Sequence, residues 1–331
     1  MAKNEDGLSD SQEIRAYIIS TFGFIPSSIM KADWSVRVER AGNKTALDVR
    51  KEGPYWGTRF SISDASREHQ GDFPHNICRF FLKYLCPEVS ENSFFNNGLA
   101  SVFDPFAGHD SRLSDVSIMG RNYVGYDICH KYMENNRRIA TSLTSNKLMD
   151  KIPQIELNEC DSRFIDTEKY AEKFDFSITS PPFWKAESYG PESGQLFNVG
   201  TYEQFMSILG GIFQSCWKTL KDNSFMVVEV NDLRLGTIFY PFHADTIKQL
   251  QLAGFSMHDL IICDFGNSFQ QIFCSELLRS KTVAKRHSYF LVAQKHIGKT
   301  PVFTGQKRKE LLELAKEMPK LENINPQSSL F

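Results

Sequence analysis

Nothing in this sequence is apolar for the roughly 18 to 20 consecutive residues that a bilayer-spanning helix needs. The opening MAKNEDGLSDSQE is polar and acidic, not basic and then apolar as in a secretory leader. A soluble, cytoplasmic protein with no membrane contact is the expectation. The seven cysteines, Cys78, Cys86, Cys129, Cys160, Cys216, Cys263 and Cys274, are odd in number and include no Cys-x-x-Cys pair. That argues against a disulfide framework and against a zinc site, and leaves them as reduced core residues. The full glycine-rich pyrophosphate loop of nicotinamide-dependent dehydrogenases is missing as well, which makes that class a minor alternative. Neither sign of charge dominates. With a formal net charge of -2 the chain has no global attraction for polyanions, so any nucleic-acid contact must rest on a local concentration of Lys and Arg.

What is present suffices for one large core, with or without a smaller appended segment: the 331 residues are 41% hydrophobic and 13% aromatic. From Ser101 onward, short apolar strands alternate with amphipathic helices. This is the α/β pattern of a mainly parallel twisted sheet with helices on both faces. Strands are expected at Ser101–Phe103, Tyr123–Tyr126, Phe176–Thr179, Phe225–Val230, Leu260–Cys263 and Tyr289–Ala293. The clearest helix runs from Tyr202 to about Leu220, where Phe205, Ile208, Leu209, Ile212, Phe213, Cys216, Trp217 and Leu220 recur at helical spacing. Another spans His243 to Ala253 before Gly254, a suitable C-cap. A third, Ile77 to Leu85, is expected to turn Phe80, Phe81, Tyr84 and Leu85 inward.

Residues 1–72 fit the alternation poorly and are set apart as an N-terminal accessory segment, with 73–296 as the main domain and 297–331 as a basic C-terminal tail. Between Leu277 and Lys309 lie nine basic residues, Arg279, Lys281, Lys285, Arg286, Lys295, Lys299, Lys307, Arg308 and Lys309, and no acid. Such a stretch suits phosphate contact or a solvated loop and tail.

Two motifs carry chemistry. In the first, the strand Ser101-Val102-Phe103 breaks into Asp104-Pro105-Phe106-Ala107-Gly108. Ligands of open α/β sheets bind where strands end, and a glycine there lets the backbone approach a cofactor. About twenty residues on, Gly125-Tyr126-Asp127 places a carboxylate where doubly wound folds hold a ribose hydroxyl. Cys160-Asp161-Ser162-Arg163 then supplies another acid at the end of a third strand, able to accept from an adenine amino group. In the second motif, Asp175-Phe176-Ser177-Ile178-Thr179 runs into Ser180-Pro181-Pro182-Phe183-Trp184. Adjacent prolines donate no backbone hydrogen bonds and hold a stiff extended turn. Ser180 and the Pro181 carbonyl can accept both hydrogens of an exocyclic amine while Phe183 stacks on a flat base. A base buried in a duplex would have to be flipped out to reach them.

With Asp-Pro-Phe-Ala-Gly, Gly-Tyr-Asp, Cys-Asp-Ser-Arg and Thr-Ser-Pro-Pro-Phe in that order, the sequence resembles the amino-group DNA methyltransferases, particularly those of phages and prophages and of restriction–modification systems. The resemblance implies a Rossmann-like fold that uses S-adenosylmethionine (AdoMet) to methylate N4 of cytosine or N6 of adenine in double-stranded DNA. It assigns Phe73, Asp104, Phe106, Gly108, Asp127 and Asp161 to the cofactor and Ser180, Pro181, Pro182 and Phe183 to catalysis. Trp34, Arg279, Lys281, Lys285 and Arg286, with the loop 277–287, fall to DNA, and no metal is implied. Lys285-Arg286-His287-Ser288-Tyr289-Phe290-Leu291-Val292 resembles the strand that ends the family's catalytic core. The match is strong from 101 to 184 and weak elsewhere within 24–295. Two departures stand out. Gly108 is followed by His109-Asp110-Ser111-Arg112, where the family has a second glycine and a Thr or Ser; and Ser-Pro-Pro-Phe is commoner in cytosine-N4 than in adenine-N6 enzymes. A catalytically silent DNA-binding relative, a methyltransferase of RNA or of a protein amide, and homo- or hetero-oligomers stay open.

Overall fold

The aromatic and β-branched runs after residue 100 become strands because a sheet covered on both faces can bury every side chain along them. The structure, a computed structural model, describes residues 14–18, 21, 26–31, 50–51, 58–59, 73–109, 111–145, 152–186, 189–265, 274–283 and 285–296. The chain divides into two compact units, Ser28–Asp48 with Phe60–Ile297, and Met1–Ser27 with Val49–Arg59 and Gly298–Phe331. In the second unit, Arg50–Lys51 pairs antiparallel with Thr58–Arg59.

The first unit holds β1 (Ile29–Lys31), α1 (His75–Tyr84), β2 (Ser101–Asp104), α2 (Ser111–Ile118), β3 (Asn122–Asp127), α3 (His130–Thr144), β4 (Ile155–Glu159), β5 (Phe174–Thr179), α4 (Tyr202–Thr219), β6 (Leu220–Val230), β7 (Leu233–Leu235), β8 (Ile238–Tyr240), α5 (Phe242–Leu252), β9 (Ser256–Asp264), α6 (Cys274–Ser280) and β10 (His287–Gln294). Eight strands form one sheet in the order β1-β9-β10-β6-β5-β2-β3-β4. All neighbours are parallel except β10, which runs against both β9 and β6. The chain builds outward from β2 through β3 to β4, then returns to lay β5 on the other side of β2 and continues to β6. Right-handed crossovers therefore place α2 and α3 on one face and α4 on the other, and a crevice opens between the carboxyl ends of β2 and β5. This is a Rossmann-like α/β fold, as the alternation implies.

α4 starts with a capping box, Thr201 accepting from the Gln204 amide at 3.2 Å while the Gln204 side chain accepts from the Thr201 amide at 3.3 Å. Its apolar stripe buries Phe205, Leu209, Ile212, Phe213 and Cys216 against Phe103, Phe174 and Val228. α1 departs from expectation at Tyr84, which is 53% exposed and stacks at 5.1 Å on Phe80 instead of pointing inward. The helix buries Asn76 and Arg79 in its place, because Arg79 donates to the buried Asp115 at 2.7 Å and Asn76 donates to the Lys31 carbonyl at 2.9 Å. The edge strand β1 comes from the segment set apart as accessory, so that segment contributes to the sheet. Among the described residues no helix is long and apolar enough to cross a membrane.

Candidate functional site

Asp104 closes β2 with no solvent exposure. Its Oδ1 accepts from the Thr179 hydroxyl at 2.6 Å and the Phe106 amide at 3.1 Å, and its Oδ2 from Arg112 Nε at 2.7 Å and the Tyr123 hydroxyl at 2.9 Å. One buried carboxylate thus ties β2, β3, β5 and α2 together, its charge balanced by Arg112. The Arg112 guanidinium also donates to the carbonyls of Phe106 and Ala107, which closes the turn before α2.

Gly108 sits in that turn at a φ of +50°, a left-handed conformation in which a side chain is strained. Its amide donates to Asp127 Oδ2 at 2.8 Å, and the Cys129 amide donates to Asp127 Oδ1 at 2.8 Å. The end of β3 therefore holds the end of β2. Burial pushes the Asp127 carboxyl up to about 6, against the two amides that favour its ionised form. Asp161, at the end of β4, caps a short 3-10 turn by accepting from the Arg163 amide at 2.9 Å, and is ion-paired to the Arg163 guanidinium. Gly194 lies against it: a Cβ there would come within 2.7 Å of Asp161 Oδ2 and 2.4 Å of Ile128 Cδ1. At the end of β5, Ser180 to Phe183 form the extended Pro-Pro turn. The Phe183 amide donates to the Tyr189 hydroxyl at 3.3 Å and its ring meets Phe242 edge-on at 6.2 Å.

These four strand ends converge on one cavity of about 520 Å³. Of the residues singled out in the sequence, Phe106, Gly108, Asp127, Asp161, Ser180, Pro181, Pro182 and Phe183 line it. Asp104 and Phe73 do not. Asp104 lies behind the wall, and Phe73, 2% exposed, packs edge-on against Phe290 at 5.3 Å with the Arg112 guanidinium over its ring. Sequence reasoning missed Arg112, Lys131, Tyr132, Tyr189 and Gln195 in the lining. The first three fall in the opening turns of the helices that follow the acidic strand ends, where position alone would have flagged them. Tyr189 and Gln195 come from an irregular loop with no such signal. His109, the departure from the family pattern, lines the cavity with its ring 4.1 Å from that of Tyr132. Asp110 lies outside the described residues.

The basic stretch divides. Arg279 and Lys281 are exposed at the end of α6. Lys285 donates to the Asp232 carbonyl, and Arg286 pairs with Asp264 at 2.7 Å. Lys295 turns fully inward, 1% exposed, donating to the Leu220 carbonyl at 2.9 Å with its ammonium over the Trp217 ring. It belongs to the fold and not to a phosphate-facing surface. Trp34, Lys299, Lys307, Arg308 and Lys309 lie outside the described residues.

No family profile and no curated protein sequence matches this chain. Among solved structures it is similar to a SAM-dependent methyltransferase from Methanosarcina mazei, 12% identical over 60% of this chain and 93% of that one, with a TM-score of 0.41. It is also similar to a Thermus thermophilus protein provisionally described as a DNA modification methylase, 20% identical over 45% of this chain and 56% of that one, at 0.32. A third is the magnesium protoporphyrin IX methyltransferase of Synechocystis with bound SAM, 14% identical over 59% and 69%, at 0.35. These are partial likenesses, and the chemistry of the site rests on its own geometry.

Proposed function

We propose that this protein uses AdoMet to methylate an exocyclic amino nitrogen, N4 of cytosine or N6 of adenine, on a DNA base held outside the duplex. The observation that carries the reading is convergence: two strand-end carboxylates and the Ser-Pro-Pro-Phe turn line one cavity at the reversal point of the sheet. The lining suits a nucleoside. Asp127 retains acceptor capacity beyond its two amides for ribose hydroxyls, Ile128 and Leu196 offer apolar contact to adenine, and Asp161 can accept from the adenine amine. The backbone at Gly108 can come close to the cofactor because it carries no Cβ. When bound, AdoMet supplies a methyl group on a sulfonium sulfur.

The chain's own residues position the acceptor. The Ser180 hydroxyl and the Pro181 carbonyl accept the two amine hydrogens, which directs the nitrogen lone pair along the transfer axis. Phe183 stacks on the base, braced by Phe242. Pro181 and Pro182 hold the turn extended, so these groups are in place before the base arrives. Asp104 acts one layer back by fixing the ends of β2, β3 and β5, and Arg112, itself part of the cavity wall, balances its charge.

Incubation with isotopically labelled AdoMet and unmodified DNA, followed by nucleoside mass spectrometry, tests the proposal. Labelled N4-methylcytosine or N6-methyladenine is expected; no transfer of label to DNA overturns it.

A further inference from the structure

The hairpin after β6 takes no part in the cavity wall, yet it is built against the turn that does. β7 and β8 pair through a bend at Gly236, whose φ is +58°. On the inner side, Tyr240 lies 5.4 Å from Trp184 and 4.6 Å from Tyr202, ring to ring, and Phe242 braces Phe183. On the opposite face of β8 from Tyr240, Phe239 is 46% exposed, and Ile238, next to the bend, is 56% exposed. Two cations lie over the Phe239 ring, the Arg234 guanidinium at 5.3 Å and the Lys285 ammonium at 5.7 Å. The neighbouring acids face inward. Asp232, 9% exposed, is held by the His243 ring, and Asp245 accepts from the Tyr202 hydroxyl at 2.9 Å.

An exposed aromatic ring flanked by cations, with the nearby carboxylates turned away, matches what unpaired nucleic acid requires: a face for a base and positive charge for the backbone. We infer that this hairpin is a stacking platform for the DNA strand beside the target nucleotide. Phe239 receives the face of an adjacent unpaired base, and Arg234 approaches its phosphates. Because Tyr240 and Phe242 clamp the Trp184 and Phe183 ends of the Pro-Pro turn, the platform keeps a fixed offset from the cavity. A strand stacked on it can present its next base inward. The inference deepens the DNA-methylation reading and rests on it for the direction in which the strand runs.

The test is fluorescence anisotropy of the full chain with a fluorescein-labelled DNA single strand, its duplex, and an RNA strand of the same sequence, with thermal melts to verify folding. Replacing the exposed ring in Phe239→Ala should weaken single-strand DNA binding roughly five- to hundred-fold, and Phe239→Trp should keep it near wild type. Arg234→Gln should make the salt dependence shallower by about 0.7 in the log–log slope. Equal affinity of wild type and Phe239→Ala overturns the inference, as does tighter binding of RNA than DNA or no binding to any probe. If Phe239 proves necessary for strand binding but no label reaches DNA, the hairpin stands and the methylation reading falls. If DNA is methylated and Phe239→Ala binds as wild type, the reverse holds.

Discussion

Asp104 and Asp127 end adjacent parallel strands and look alike as letters, but their surroundings set them different tasks. Asp104 has four donors and no exposure, so it braces the fold. Asp127 has two donors and lines the cavity. With its carboxyl raised from the ordinary 3.8 to about 6, the fold prefers the protonated form. Its contribution to stability is therefore fully present below about 3.8 and lost as pH rises through about 6. Ribose hydroxyls need the ionised form, so cofactor affinity should run the opposite way. It should climb by up to about tenfold per pH unit below 6 and level off above it. Calorimetric titration of AdoMet between pH 5 and 8 checks this, and the slope should vanish in Asp127→Asn. A pH-independent wild-type affinity would place the ribose elsewhere. The strand-end acids were legible in the sequence because an Asp that closes a short apolar run marks a carboxyl edge, at Asp104 with a Pro beside it. Which acid faces the cavity was not, since that depends on Arg112, Tyr123 and Thr179 arriving from other elements.

At the scale of elements, the Ser-Pro-Pro-Phe turn makes the sharpest demand. If Ser180 accepts from the amine and Phe183 stacks, the two substitutions should part company. Ser180→Ala should slow single-turnover methyl transfer roughly ten- to a hundredfold with DNA affinity nearly unchanged, because that contact strengthens mainly in the transition state. Phe183→Ala should lower both, stacking being worth about 1 to 3 kcal/mol in the ground state too. Single-turnover kinetics on a defined duplex separates the cases, and full wild-type rates in both variants would make the turn structural only. The long periodic α4 and the strands with continuous apolar runs are readable without coordinates. β4 is expected only through the acid that follows it, since Ile155–Glu159 is a short alternating run that buries none of its residues fully and its bounds are not set by the sequence. The β7–β8 hairpin is too short for periodicity to register, and its exposed Ile238 and Phe239 break the polar pattern expected of a loop.

Across the whole molecule, a net charge of -2 means that the proposed DNA binding would rest on local cations, and the fold has already engaged several of them. Arg279 and Lys281 are exposed at the end of α6, whereas burial lowers the Lys285 ammonium. Changing the exposed Lys281 to Gln should reduce the log–log salt slope of duplex binding by about 1, and Lys285→Gln should also lower thermal stability. Titrations at several salt concentrations, paired with melts, distinguish the two; an unchanged slope would return this stretch to the solvated loop. The edge strand β1 has a consequence for biosynthesis. Ile29 pairs with Ile262 and Lys31 with Asp264, so this strand must wait for its partner until the residues between Lys31 and Asp264 have left the ribosome. At roughly 5 to 20 residues per second that delay is on the order of 10 to 50 seconds. Throughout it Met30, which the finished sheet buries, stays available to chaperones and to other nascent chains.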